Sequence, residues 1–146
     1  MPDRETLERA REDAREGKSP STQAGEFVRE EIHHIREGKH GARSAKQAIA
    51  IGLSKARRAG VKLSAPKGPA SIRKKAAQDT RAGRNKPGTK TSAARSRAVE
   101  SALQREPRNA ASHEALSRQA RKSAAKRGKK SREQAAMKAA RTRKAA

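Results

Sequence analysis

Runs of lysine and arginine are the side chains whose type and spacing promise chemistry in this sequence. Arg57-Arg58, Arg73-Lys74-Lys75, Arg121-Lys122, Lys126-Arg127-Gly128-Lys129-Lys130 and Arg141-Thr142-Arg143-Lys144 set cations at intervals that can follow a string of phosphates. Arginine forks onto phosphate oxygens, whereas lysine acts as a point charge. The surplus is large: 38 Lys and Arg face 15 Asp and Glu, a formal charge of +23 in 146 residues. Such a chain repels itself when compact and is relieved by a polyanion. Nucleic acid is therefore the expected partner, DNA ahead of RNA. Each neutralised phosphate releases counterion, so binding should weaken steeply with salt.

Other chemistries find less support. The chain has no cysteine, which excludes disulfides and thiolate metal sites. His33, His34 and His40 lie near Glu30 and Glu37, but His33/Glu37 and Glu30/His34 fall on different faces of a helix. Zinc asks for three or four converging ligands. The histidines read instead as surface groups titrating near neutral pH, with no metal or cofactor expected. His113 beside Glu114 forms no useful dyad, and Gly83 and Gly88 flank no strand that would make a phosphate loop. Without an enclosing pocket for a nucleophile, no enzyme is expected. Phe27 is the only aromatic residue, which excludes base stacking on an aromatic platform and assigns Phe27 to a core. Serines beside cations, such as Ser71, Ser96, Ser117, Ser123 and Ser131, are candidate phosphorylation sites that would weaken polyanion binding.

The elements that must position these cations follow from periodicity and punctuation. Only 32% of residues are hydrophobic, too few for a single core spanning the chain. The fold class is all-α, a small helical hairpin with flanking Ala/Lys/Arg-rich segments that are helical or disordered. Asp3 caps a first helix that runs to about Glu16 on the stripe Leu7, Ala10 and Ala14, and Gly17 stops it. Ser19-Pro20 opens a second helix on Ala24, Phe27, Val28, Ile32 and Ile35, closed by Gly38. Ser44 and Gln47 form a capping-box pair for a third, from Ala45 to about Ala59, with Ala45, Ala48, Ile49, Gly52, Leu53 and Ala56 on its apolar face. Its small residues predict a close approach between the two helices. Val61 and Leu63 are expected to fold back over the pair.

Beyond Pro66 the texture is that of linkers, Lys67-Gly68-Pro69 and residues 84–91, between helix-forming segments. These run from Ser71 to Ala82 (ended by Gly83), Ser92 to Glu106, about Ala110 to Arg127, and Arg132 to Lys144 behind a Ser131/Gln134 cap. The organisation is then an acidic N-terminal helix (1–17), the hairpin (19–65) as the one place for a modest core, and a basic tail (66–146) of nascent helices, largely disordered when free. Residues 1–37 carry ten acids and seven bases; residues 38–146 carry five acids and thirty-one bases. That asymmetry raises the idea of an acidic head folding back on the basic tail. The longest apolar run, Ala48 to Leu53, is too short for a bilayer, and Met1-Pro2-Asp3-Arg4-Glu5 lacks the apolar stretch of a secretory signal. A cytoplasmic, nucleoid location is expected, with no membrane partner.

The stretch from Gly38 through Lys46-Gln47-Ala48-Ile49-Ala50-Ile51-Gly52-Leu53-Ser54-Lys55-Ala56-Arg57 resembles a segment of small, uncharacterised basic bacterial proteins. Those carry a domain of unknown function built around such a helix, here covering about residues 25–65. By composition the tail resembles bacterial linker-histone-like nucleoid proteins. The functional expectation is a nucleoid-associated, histone-like protein that binds DNA independently of sequence. Lys46, Lys55, Arg57 and Arg58 would add a positioned contact to the clusters of the tail. An RNA- or ribosome-associated protein is a second reading. A third is an interaction module that self-associates through residues 19–65.

Overall fold

The computed structural model describes residues 2–84 and 92–145. Within them the protein is all-α, with seven helices and no strand. The helices are α1 (Arg4–Arg15), α2 (Pro20–Arg36), α3 (Ala45–Arg58), α4 (Ala70–Arg84), α5 (Ala93–Gln104), α6 (His113–Lys126) and α7 (Gly128–Ala145), with a 3₁₀ turn at Asn109–Ala111. Of the expected linker at 84–91, Arg84 belongs to α4 and residues 85–91 lie outside the described residues.

The hairpin forms for the reasons its punctuation gives. Ser19 Oγ accepts a hydrogen bond from the Thr22 N–H at 3.4 Å, with Pro20 in the first helical position. Gly38, at φ +79°, lets the Lys39 N–H return to the His34 carbonyl at 3.0 Å and closes α2. Ser44 Oγ accepts from the Gln47 N–H at 3.2 Å. Gln47 Oε1 reaches back one residue further than a capping box requires, accepting from the Arg43 N–H at 2.8 Å.

The α2–α3 contact is as close as the small residues of α3 predict. A β-carbon on Gly52 would stand 2.7 Å from Val28 Cα, a backbone atom with no freedom to retreat. Phe27, fully buried, packs with Ala10, Ala24, Ala56 and Val61 under Leu7, Leu53 and Leu63. Val61 and Leu63 thus fold back as expected. A second cluster joins Ile32, Ile35, Ala42 and Ala48 to Ala110 and Ala111, with Val28 and Leu116 against it.

The core is therefore not confined to residues 19–65. Two helices share one face, and the outer sides of Ile32 and Ile35 need another cover. The turn at 109–111 supplies it, made of alanines small enough to sit close. Backbone bonds fasten it: Gly41 N–H to the Leu103 carbonyl at 2.8 Å, and Ala42 N–H to the Pro107 carbonyl at 3.0 Å. Arg36 Nε donates to the Ala111 carbonyl at 2.9 Å. Gly41 has to be glycine, because a β-carbon there would overlap the Glu106 carbonyl.

Other details depart from the sequence reading. The buried face of α1 is Thr6, Ala10 and Asp13, while Ala14 is exposed. That helix packs on α2 rather than folding back on the C-terminal helices, and Arg9 Nε joins Glu26 Oε2 at 2.7 Å across the contact. Gly83 lies inside α4 instead of ending it. It marks where α4 crosses the end of α3, since a β-carbon would overlap the Arg57 carbonyl. Ser131 caps nothing, because α7 already begins at Gly128, whose φ of +75° makes the corner with α6. Among the described residues α7 meets only α6, and neither helix contains a buried residue.

The two helical glycines of the hairpin provide a matched test. Gly52→Ala should destabilise the protein by about 1–3 kcal/mol through overpacking. Gly25→Ala, on the open side of α2 with nothing within 4 Å, should stabilise it by about 0.5–1 kcal/mol. Urea denaturation followed by circular dichroism measures both, and equal effects would contradict the packing described.

Candidate nucleic-acid interface and two buried ionic sites

Glu31 stands four residues from both Phe27 and Ile35, so the turn of α2 that buries those side chains buries its carboxylate as well. It is 0% exposed. Across the contact, Lys55 of α3 brings Nζ to 2.8 Å from Glu31 Oε2 and 3.2 Å from Glu30 Oε1. Burial works against the charge on Lys55, but Glu31 and then Glu30 outweigh it and hold the ammonium above the usual lysine range. On the other side His40 Nε2 lies 3.2 Å from Glu31 Oε1, while His40 Nδ1 lies 3.0 Å from the Gly41 carbonyl. Despite these short distances neither Glu31 oxygen has a hydrogen bond in proper alignment. The cluster extends to the start of α1. The Asp3 N–H donates to Glu30 Oε2 at 3.1 Å, and His34 Nε2 donates to Asp3 Oδ2 at 3.1 Å. The His34 contact holds the Asp3 carboxyl below its ordinary range. Asp3 therefore spends its side chain on His34 and makes no side-chain cap for α1.

Two of the four histidines consequently depart from the surface reading. The side chains of His34 and His40 are 12% and 15% exposed and face carboxylates, whereas His33 and His113 are exposed. The sequence spacing of α2 alone did not bring His40 to Glu31. That contact depends on the path of the 37–44 connection.

Asp79 is a second buried anion, placed on α4 between Ala76 and Gly83 where that helix meets α3. Arg58 Nε donates to Oδ1 at 2.9 Å, Lys75 Nζ to Oδ1 at 3.2 Å and Ser54 Oγ to Oδ2 at 2.7 Å. Burial pushes its pKa up, but the bonds from Ser54, Arg58 and Lys75 overcome this and leave it depressed. Sequence reasoning passed over Asp79. The available signal was its position at helical spacing from Ala76 and Gly83, a small-residue face with one acid in it.

The expected nucleic-acid contacts divide into two groups. Lys55 is turned inward, 23% exposed, and neutralised by Glu30 and Glu31. Arg58 and Lys75 are exposed but tied to Asp79, and Arg57 donates to the Ser64 carbonyl at 3.4 Å. Lys46, Arg73 and Lys74 are exposed on α3 and α4. Arg121, Lys122, Lys126, Arg127, Lys129, Lys130, Arg141, Arg143 and Lys144 are all exposed along α6 and α7. The acids of those two helices are Glu114, paired with Arg118, and Glu133, 4.0 Å from Lys129. The cations of α6 and α7 thus remain largely uncompensated, while those of α3 are partly spent on holding helices together.

With the fold and these sites in place, comparison with known proteins adds one finding. Residues 16–67 are similar to a family described as a family of unknown function (DUF6496). They comprise α2, α3, their connection and the returning segment with Val61 and Leu63, which agrees with an uncharacterised domain in this part of the chain. No curated protein matches, and no solved structure matches. No helix among the described residues is long and apolar enough to cross a membrane.

The Asp79 carboxylate gives a pH signature. A depressed native pKa contributes stability above the unfolded value of about 3.9, and this contribution disappears as pH falls through the native pKa. Asp79→Ala should cost about 1–3 kcal/mol at pH 7. Its penalty relative to wild type should shrink as denaturation is repeated at pH values below about 4. A penalty independent of pH would assign Asp79 a packing role alone.

Proposed function

We propose that the protein is a bacterial, nucleoid-associated DNA-binding protein that acts by neutralising phosphates, independently of base sequence and without catalysis. The observation that carries this reading is the contrast between the two parts of the chain. Acids of the helical body are matched internally by Lys55, Arg58, Lys75 and Arg9. The cations of α6 and α7 face solvent with two acids among them.

At 18 residues, α7 is roughly 27 Å long. That is about eight phosphate spacings along one DNA strand. Lys129, Lys130, Arg132, Lys138, Arg141, Arg143 and Lys144 are distributed around it rather than along one stripe. Such an arm can follow a backbone from several orientations, but it offers no fixed set of side chains to base edges. The likeness of the tail to linker-histone-like proteins, and of α3 to small basic bacterial proteins, supports the nucleoid setting in a bacterial cytoplasm.

Mobility-shift titrations on unrelated duplexes of equal length should give similar affinities that fall steeply with salt. Replacing Arg121, Lys122, Lys126, Arg127, Lys129 and Lys130 by alanine should flatten the slope of log K against log salt by up to about 5. Tight binding to one sequence that survives high salt would refute sequence independence, and binding confined to RNA would refute the DNA assignment.

A further inference from the structure

We infer that Glu31, His34 and His40 form a site for a divalent transition-metal ion of the zinc class. One ligand atom from each of the three lies within 4.8 Å of the others. His40 Nε2 and Glu31 Oε1 are 3.2 Å apart. Ligands held 2.0–2.1 Å from a tetrahedral zinc are about 3.3 Å from one another, so this edge already has the span that coordination needs.

The donor and acceptor geometry leaves a place for a cation between these groups. The Gly41 carbonyl can only accept, so His40 Nδ1 carries the hydrogen in that contact. In the neutral ring Nε2 then presents a lone pair to Glu31 Oε1, which also has only lone pairs to offer. With the ring neutral, two acceptors face each other at hydrogen-bond distance, a gap that a bound cation would fill. The Glu31 carboxylate is fully buried and neither oxygen has an aligned donor, although Lys55 Nζ balances the charge on Oε2. His34 shows the same outer-shell logic. Its Nε2 donates to Asp3 Oδ2, a carboxylate–histidine contact of the kind that fixes the tautomer of a ligating imidazole.

Charge and access agree with this assignment. Asp3, Glu30 and Glu31 bring three negative charges and Lys55 returns one positive charge, so a divalent ion closes the local balance. An open cleft of about 260 Å³ borders the cluster at Asp3, Glu30 and His34 and gives an entry path. Two neutral imidazoles with one carboxylate suit zinc, with a fourth position left for water. The bound ion would fasten the 37–44 connection, through His40, to α2.

The test uses the full chain, stripped with a chelator and free of nucleic acid, titrated calorimetrically with Zn²⁺ alone. One equivalent should bind and raise the melting temperature. Co²⁺ should give the visible absorption of a four-coordinate N/O site. His40→Gln and Glu31→Gln should each weaken uptake by at least about tenfold, and the outer-shell Asp3→Asn by about tenfold. Circular dichroism of each metal-free variant checks that it folds, and His40→Gln carries the test if Glu31→Gln does not. The proposal fails if the wild type takes up neither ion. It also fails if uptake is undiminished in folded His40→Gln, since the ion would then lie elsewhere.

Discussion

A carboxylate removed from water has to be answered by a cation, and the contact between α2 and α3 is organised around that demand. Glu31 sits within the stripe that also buries Phe27 and Ile35, and Lys55 enters from the facing helix to meet it. Removing either partner would leave the other charged and buried, a far larger loss than the pair contributes as a pair. The pair also restricts how the helices can slide. Only one register places Lys55 over Glu31 while Gly52 lies over the backbone of Val28. The ionic contact and the close backbone approach at Gly52 thus favour the same register.

The same device recurs at several junctions between elements. Arg9 and Glu26 tie α1 to α2, and Arg58 and Asp79 tie α3 to α4. Arg43 and Glu106 lie 3.5 Å apart where the 37–44 connection meets the chain entering the 3₁₀ turn. With little apolar surface to bury, the protein makes its few acids work as fasteners. What remains after this internal pairing is a cationic surplus beyond residue 37, in which residues 113–145 carry twelve bases against two acids. Composition and architecture are linked in this way: scarce acids specify the body and leave the distal helices strongly positive.

Much of the hairpin was legible in the sequence because its signals are local. Ser19-Pro20, Gly38 and Ser44 mark helix ends through backbone rules that act within a few residues. Phe27 as core and Gly52 as a point of close approach follow from period and size. The docking of Ala110 and Ala111 was not legible, because alanine at helical spacing looks alike whether it faces solvent or a partner. Gly83 misled for a related reason: glycine can mark an end or a crossing, and only the neighbouring α3 decides between them. The ionic cluster stood between these cases. Glu31 could have been found as an acid in an apolar stripe, whereas His40 reached it through a connection whose path no periodicity encodes.

The corner between α6 and α7 rests on very little. Gly128 has open space around its α-carbon, so no neighbour dictates the bend, and its left-handed torsion alone sets the angle. A methyl group there would make that torsion unfavourable by roughly 1–2 kcal/mol. The two segments would then tend to merge into one straight spar roughly 50 Å long. A single absent carbon thus separates a jointed limb from a rigid rod.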